Sequence, residues 1–167
     1  YHGSPQKGLT SLKKGQSGAV FVTTDKDYAS SFGVGTGEIY QATITKEKKE
    51  KLFDTSNPEH IKKLKRGFLT PNEDLEIEYE SEQDALRDYK NAVATMTADK
   101  TETGLVDWSI GGQWQEQMEN AGFEGAQFQE RPSMPDAQGK MRKPIISYAL
   151  FERELEVGES GIDPVSY

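Results

Sequence analysis

The segment Gly18-Ala19-Val20-Phe21-Val22-Thr23-Thr24-Asp25-Lys26-Asp27-Tyr28-Ala29-Ser30-Ser31-Phe32 sets the architecture of this chain. From Ala19 to Thr24 the residues are small, β-branched or aromatic and follow Gly15 and Gly18, the pattern of a buried strand entered through a turn. Asp25 then offers a capping oxygen, and Tyr28, Ala29 and Phe32 recur at helical spacing until Gly33 interrupts them. A strand feeding a short helix is expected.

Downstream, residues 38–45 alternate apolar and polar side chains, the period of a half-buried strand. The charge run 46–51 reads as a solvated turn. Asn57-Pro58-Glu59 opens a helix to about Lys65, with Pro58 suited to its first turn and Gly67 as its stop. After a loop-like or weakly extended acidic stretch, Ser81-Glu82-Gln83-Asp84 caps the longest expected helix, which carries Ala85, Leu86, Tyr89, Val93 and Met96. Residues 113–121 form a further helix closed by Gly122, and 123–128 a strand entered through a turn. A polar loop with Pro and Gly covers 131–143, and the apolar run 145–151 is expected at the centre of a sheet. Strands at both ends with helices between them give an α+β fold.

At 167 residues the chain fits one domain spanning 1–167. It begins at Tyr1 rather than Met, which reads as a processed product or a piece excised from something longer. No apolar run approaches the ~18 residues of a membrane span, and no signal peptide is visible, so no membrane partner is expected. The chain has no cysteine, which excludes a disulfide framework, a thiolate nucleophile and a Cys-ligated metal, and is compatible with a reducing cytoplasm. The net charge of −8 opposes a broad grip on nucleic acid and favours a basic protein patch or a small molecule as partner.

Only His2 and His60 are present, so a His-rich metal site is excluded. His60 lies among lysines in a helical stretch and is expected to face solvent. His2 is followed by Gly3, whose missing side chain lets a ligand approach the backbone. The run Gly33-Val34-Gly35-Thr36-Gly37 lacks the Lys-Ser/Thr ending of a phosphate-binding loop and reads as a mobile loop. Trp108 and Trp114 read as core or rim aromatics.

Taken in order, these segments resemble the ADP-ribosyltransferase fold of the diphtheria-toxin and poly(ADP-ribose) polymerase branch, in particular the short domains of phage and mobile-element polyvalent proteins. Tyr1-His2-Gly3-Ser4 resembles the family's aromatic-His-Gly-Ser/Thr strand. The resemblance implies that His2 holds the nicotinamide ribose and the Gly3 backbone the carboxamide, with Ser4 completing the motif. The strand and helix that carry Phe21, Tyr28 and Phe32 resemble the family's nicotinamide-stacking elements, with Phe21 and Phe32 where tyrosines are usual. Phenylalanine keeps the stacking face and loses a hydroxyl that Tyr28 could restore, unless Tyr28 faces the core. Leu52-Phe53-Asp54 resembles the strand and turn that follow, as scaffold. The implied architecture is split antiparallel β-sheets with flanking helices around an NAD cleft.

One position departs from the pattern. The family's catalytic glutamate opens the closing strand, and Ser147 stands there, assigned to the cofactor-binding set. Cleavage of the nicotinamide–ribose bond builds oxocarbenium character that a nearby anion stabilises, and a serine hydroxyl cannot supply that charge. Either another acid substitutes or the domain is inactive. Glu130 is the first candidate, following strand residues 126–129 and resembling the position of an acid in a phage anti-CRISPR ADP-ribosyltransferase that also lacks the usual glutamate; the alternative is a solvated loop residue. Glu124, in its Gly-flanked turn, is second, and Glu152 third. The expected function is transfer of ADP-ribose from NAD⁺, as substrate, to a protein acceptor, with His2 and the acid as catalytic residues. The alternative is a degenerate NAD⁺- or ADP-ribose-binding or docking module. The resemblance further implies a cytoplasmic location, in a host after delivery.

Overall fold

The computed structural model describes residues 1–4, 11–13, 19–25, 29, 38–72, 79–98, 103–130, 138–141, 143–151, 154–156 and 162–165. Strands β1 (His2–Ser4), β2 (Ser11–Lys13), β3 (Val20–Thr23) and β4 (Glu38–Ala42) come first, then helix α1 (Lys46–Glu50), strand β5 (Leu52–Phe53) and helix α2 (Pro58–Leu69). Helix α3 (Glu82–Ala98) follows, then α4 (Trp108–Gly111), a 3₁₀ turn (Gly112–Trp114) and α5 (Gln115–Asn120). The chain closes with β6 (Gly125–Glu130), β7 (Ile145–Leu150), β8 (Glu154–Glu156) and β9 (Ile162–Val165). The fold is α+β. Among the described residues no helix is long and apolar enough to cross a membrane.

The principal sheet has the order β3-β7-β6-β5, which puts the apolar strand β7 in its interior as its composition requires. A second sheet has the order β1-β4-β9, and β2 pairs with β8. The pairings are antiparallel except β5 with β6, which run parallel and so depart from the all-antiparallel expectation. A parallel neighbour needs a long crossover, and here helices α2 to α5 supply it.

Alternation along the strands divides the apolar residues between two cores. One face of the principal sheet presents Ala126, Phe128 and Ala149, with half-buried Phe21 against them, to helices that contribute Leu64, Phe68, Ala92 and Met118. The other face presents Val20, Val22, Tyr148 and Leu150, which pack with Tyr40 of the second sheet. Strand β1 joins the sheets: it pairs with β4, while the Thr23 N–H donates to the Tyr1 carbonyl at 2.8 Å.

Several elements differ from expectation for local reasons. Residues 46–51 are not a turn but contain α1, because Thr45 accepts a hydrogen bond from Lys48 N–H at 3.1 Å and caps it; β4 stops at Ala42. Helix α2 runs through Gly67 to Leu69. Gly67 is instead where α5 crosses: a Cβ there would lie 1.9 Å from the Gln117 carbonyl oxygen, so the contact admits only glycine. Asn120 Nδ2 donates to the carbonyls of Gly67 and Thr70, both at 2.9 Å, and locks the crossing. The helix expected over 113–121 begins as the 3₁₀ turn and continues as α5, with α4 a separate short helix before it, and it closes at Gly122, whose φ of 94° is open to glycine.

Helix α3 begins as expected, with Ser81 Oγ accepting from Asp84 N–H at 3.2 Å. His60 does not simply face solvent. Its Nδ1 accepts from Asp54 N–H at 3.0 Å, and its ring lies 6.5 Å from Phe53 and 5.2 Å from Phe123, pinning the Phe53-Asp54 turn to α2. Of the expected helix after β3, Ala29 is helical and its N–H donates to the Asp25 carbonyl at 3.0 Å. Tyr28, Phe32, the run 33–37 and Glu152 lie outside the described residues.

Candidate active site

The carboxyl end of β6 and the amino end of β7 bring an acid and a serine into direct contact. Strand β6 extends two residues beyond the 123–128 expectation, so Glu130 is its last residue rather than the first of a loop, opposite Ile145. Ser147 lies opposite Phe128 on one side and Thr23 on the other. Phe128, Glu130 and Ser147 therefore project from the same face, and the Ser147 hydroxyl donates to Glu130 Oε2 at 2.8 Å. Ser147 is 1% exposed, and Glu130 is half-buried.

That environment sets the acidity of Glu130. Burial raises its pKa above the ordinary value, the Ser147 hydrogen bond draws it back down, and the negative charge of Asp107 pushes it up again. Asp107 is brought there by a clamp. Gln129 N–H donates to the Val106 carbonyl at 2.8 Å, and Gln129 Oε1 accepts from the hydroxyl and N–H of Thr103 at 2.7 and 3.1 Å. Thr55, beneath the loop, accepts from Val106 N–H at 3.0 Å. Asp107 in turn caps α4, accepting from Ser109 N–H at 3.0 Å. Sequence reading passed over Asp107; the Asp-Trp-Ser cap pattern marks it as a helix start, but only tertiary folding sets it beside Glu130.

His2 occupies the junction between the sheets. Its Nδ1 is 2.7 Å from the Phe21 carbonyl oxygen, which can only accept, so Nδ1 carries the proton. Burial lowers the His2 pKa, partly offset by that hydrogen bond. A neutral ring protonated at Nδ1 leaves the Nε2 lone pair free to accept a hydrogen bond from a hydroxyl. Gly3 stands opposite Ile39, and Ser4 opposite Glu38.

The remaining candidates separate. Phe21 is not an isolated stacking ring: it meets Trp108 and Phe128 edge-on at centroid distances of 6.2 and 5.9 Å. Trp108 also packs on Phe128 at 5.3 Å, forming a floor beside Glu130 and Ser147, while Trp114 is buried in the core. Glu124 stands before the opposite end of β6, about 20 Å from Glu130 at the usual rise per strand residue. It is exposed, 3.8 Å from the Lys51 ammonium, with its backbone tying β5 to β7 through bonds from Glu124 N–H to Lys51 and from Phe151 N–H to Glu124. The structure brings together Glu130, Ser147 and Phe21, sets His2 on the Phe21 backbone, and leaves Glu124 apart.

Comparison with protein-family models, with curated proteins and with solved structures finds no match to this chain. The functional reading rests on the residues themselves.

Proposed function

We propose that this chain transfers ADP-ribose from NAD⁺ to a protein side chain and releases nicotinamide. The observation that carries the reading is the Ser147–Glu130 contact. Where the resembling family places its glutamate this chain has serine, and an acid from the adjacent strand reaches that serine's hydroxyl. The carboxylate function is thus supplied one strand over.

In the proposed reaction the bond between nicotinamide nitrogen and ribose C1′ breaks, and nicotinamide leaves with the bonding pair. Positive charge then develops on the ribose, and ionised Glu130 stabilises it in a half-buried setting where a charge acts more strongly than in water. The acceptor's nucleophile bonds to C1′ and gives up its proton to a base. His2 Nε2 accepts from a ribose hydroxyl and holds the sugar in place. Because Phe21 is engaged by Trp108 and Phe128, its contribution to nicotinamide is an edge of the aromatic floor.

The test is nicotinamide release from labelled NAD⁺ in the presence of a cell lysate, with mass spectrometry of the modified proteins. Release by the wild type and its loss in Glu130→Gln are expected. Absence of both NAD⁺ binding and turnover sinks the proposal. The aromatic engagement of Phe21 favours one second reading, a module that binds NAD⁺ without reacting, which predicts calorimetric binding and no nicotinamide.

A further inference from the structure

A cavity of about 260 Å³ opens between the two sheets, on the side of β3 and β7 away from Glu130. Val22 and Ile44 provide its apolar walls, and Tyr1, Thr23, Thr24, Gln41, Lys49 and Tyr148 the rest of its lining. Tyr148 is only 7% exposed, and its hydroxyl has no hydrogen-bond partner among the described residues. A phenol that is otherwise buried ordinarily finds a partner, so this one is available to a guest.

The lining is chemically one-sided. The Thr24 hydroxyl is committed as a donor to the Ile146 carbonyl at 2.9 Å. The Tyr1 amino group is engaged by the Thr23 carbonyl, and the Thr23 hydroxyl accepts from Asp25 N–H. The Tyr148 hydroxyl, the Gln41 amide N–H and the Lys49 ammonium remain as donors, and among the described residues no acidic side chain lines the space. Donors and a lysine ammonium facing an apolar wall suit an acceptor-rich, negatively charged group on a compact apolar body. The volume lies at the lower edge of the roughly 300–1,000 Å³ usual for ligand pockets, too small for a dinucleotide.

We infer that this cavity is a binding site for a small organic carboxylate, separate from the Glu130 face: the carboxylate meets Lys49, Gln41 and the Tyr148 hydroxyl, and its apolar body lies on Val22 and Ile44. The site stands whether or not the chain turns over NAD⁺.

The test titrates protein labelled at Val and Ile methyl groups with benzoate, and in parallel with neutral benzyl alcohol, following both by NMR. Benzoate is expected to move the Val22 and Ile44 methyl signals saturably. Tyr148→Phe should weaken it about tenfold, the lower end for one hydrogen bond to a charged group. Lys49→Met should weaken it about threefold, the range of an exposed ion pair. Neither variant removes a packed apolar group, and retained dispersion of the methyl spectrum confirms the fold. The inference is overturned if benzoate leaves those methyls unmoved up to solubility, if benzyl alcohol binds as tightly, or if both variants bind benzoate like the wild type.

Discussion

Strand β6 ends on one glutamate, Glu130, and is preceded by another, Glu124, and the two have opposite characters. Glu124 is exposed and faces Lys51 across 3.8 Å of solvent-accessible space, an arrangement worth about 0–1 kcal/mol. Glu130 is half-buried, and that burial together with the charge of Asp107 holds its pKa above the ordinary carboxylate value against the lowering pull of the Ser147 hydrogen bond. The same side chain is a surface charge before the strand and an acid of shifted pKa at its end. What differs is what lies alongside: loop residues 103–107, clamped by Gln129, bring the Asp107 charge to one end, while the other meets the Lys51 ammonium.

The sharpest way to break this contrast is to neutralise each acid in turn. Glu130→Gln is expected to lower nicotinamide release by about 10²–10³-fold, the usual worth of one preorganised electrostatic group. Glu124→Gln should leave it within about twofold, in line with a surface substitution. Equal losses would show that the two ends are not functionally distinct.

Next in size is the dependence of rate on pH. Ser147→Ala removes the hydrogen bond that lowers the Glu130 pKa, so the acidic limb of the rate profile should move to higher pH. Asp107→Asn removes a like charge while keeping the capping oxygen, so that limb should move to lower pH. Opposite shifts sharpen the assignment; shifts of one sign, or none, contradict it.

Stability should follow the same titration. Because the folded state holds the Glu130 proton more tightly than the unfolded state, folding stability falls as pH rises from the ordinary value of 4.5 through the raised folded value. Thermal melts across that window should show a fall in the wild type that Glu130→Gln lacks.

The smallest effect is expected at the other end. Lys51→Ala should change stability by less than about 0.5 kcal/mol, and 1 M salt should erase that difference because the pair is exposed. A larger, salt-resistant loss would mean that this end is more than a solvated rim.

How far these features were legible depends on whether their cause is local. The buried strand 20–23, the interior position of β7 and the capped start of α3 follow from residues within a few positions of one another. Gly67 was misread as a helix stop because its reason, the Gln117 carbonyl passing at contact distance, comes from another helix. His60 was assigned to solvent because its partners Asp54 and Phe123 are brought to it by a turn and a strand entry. Glu130 and Ser147 were each singled out, but nothing in the sequence put them in contact, since that depends on the β6–β7 register.

The amino-acid sequence alone determined the α+β class, the interior strand and a short roster of polar residues, because periodicity and capping act over one or two turns of chain. Tertiary structure decided which of these acids has its acidity shifted. Acidity answers to burial, hydrogen bonds and neighbouring charge, and at Glu130 the last two come from Ser147 and Asp107, 17 residues later and 23 earlier in the chain.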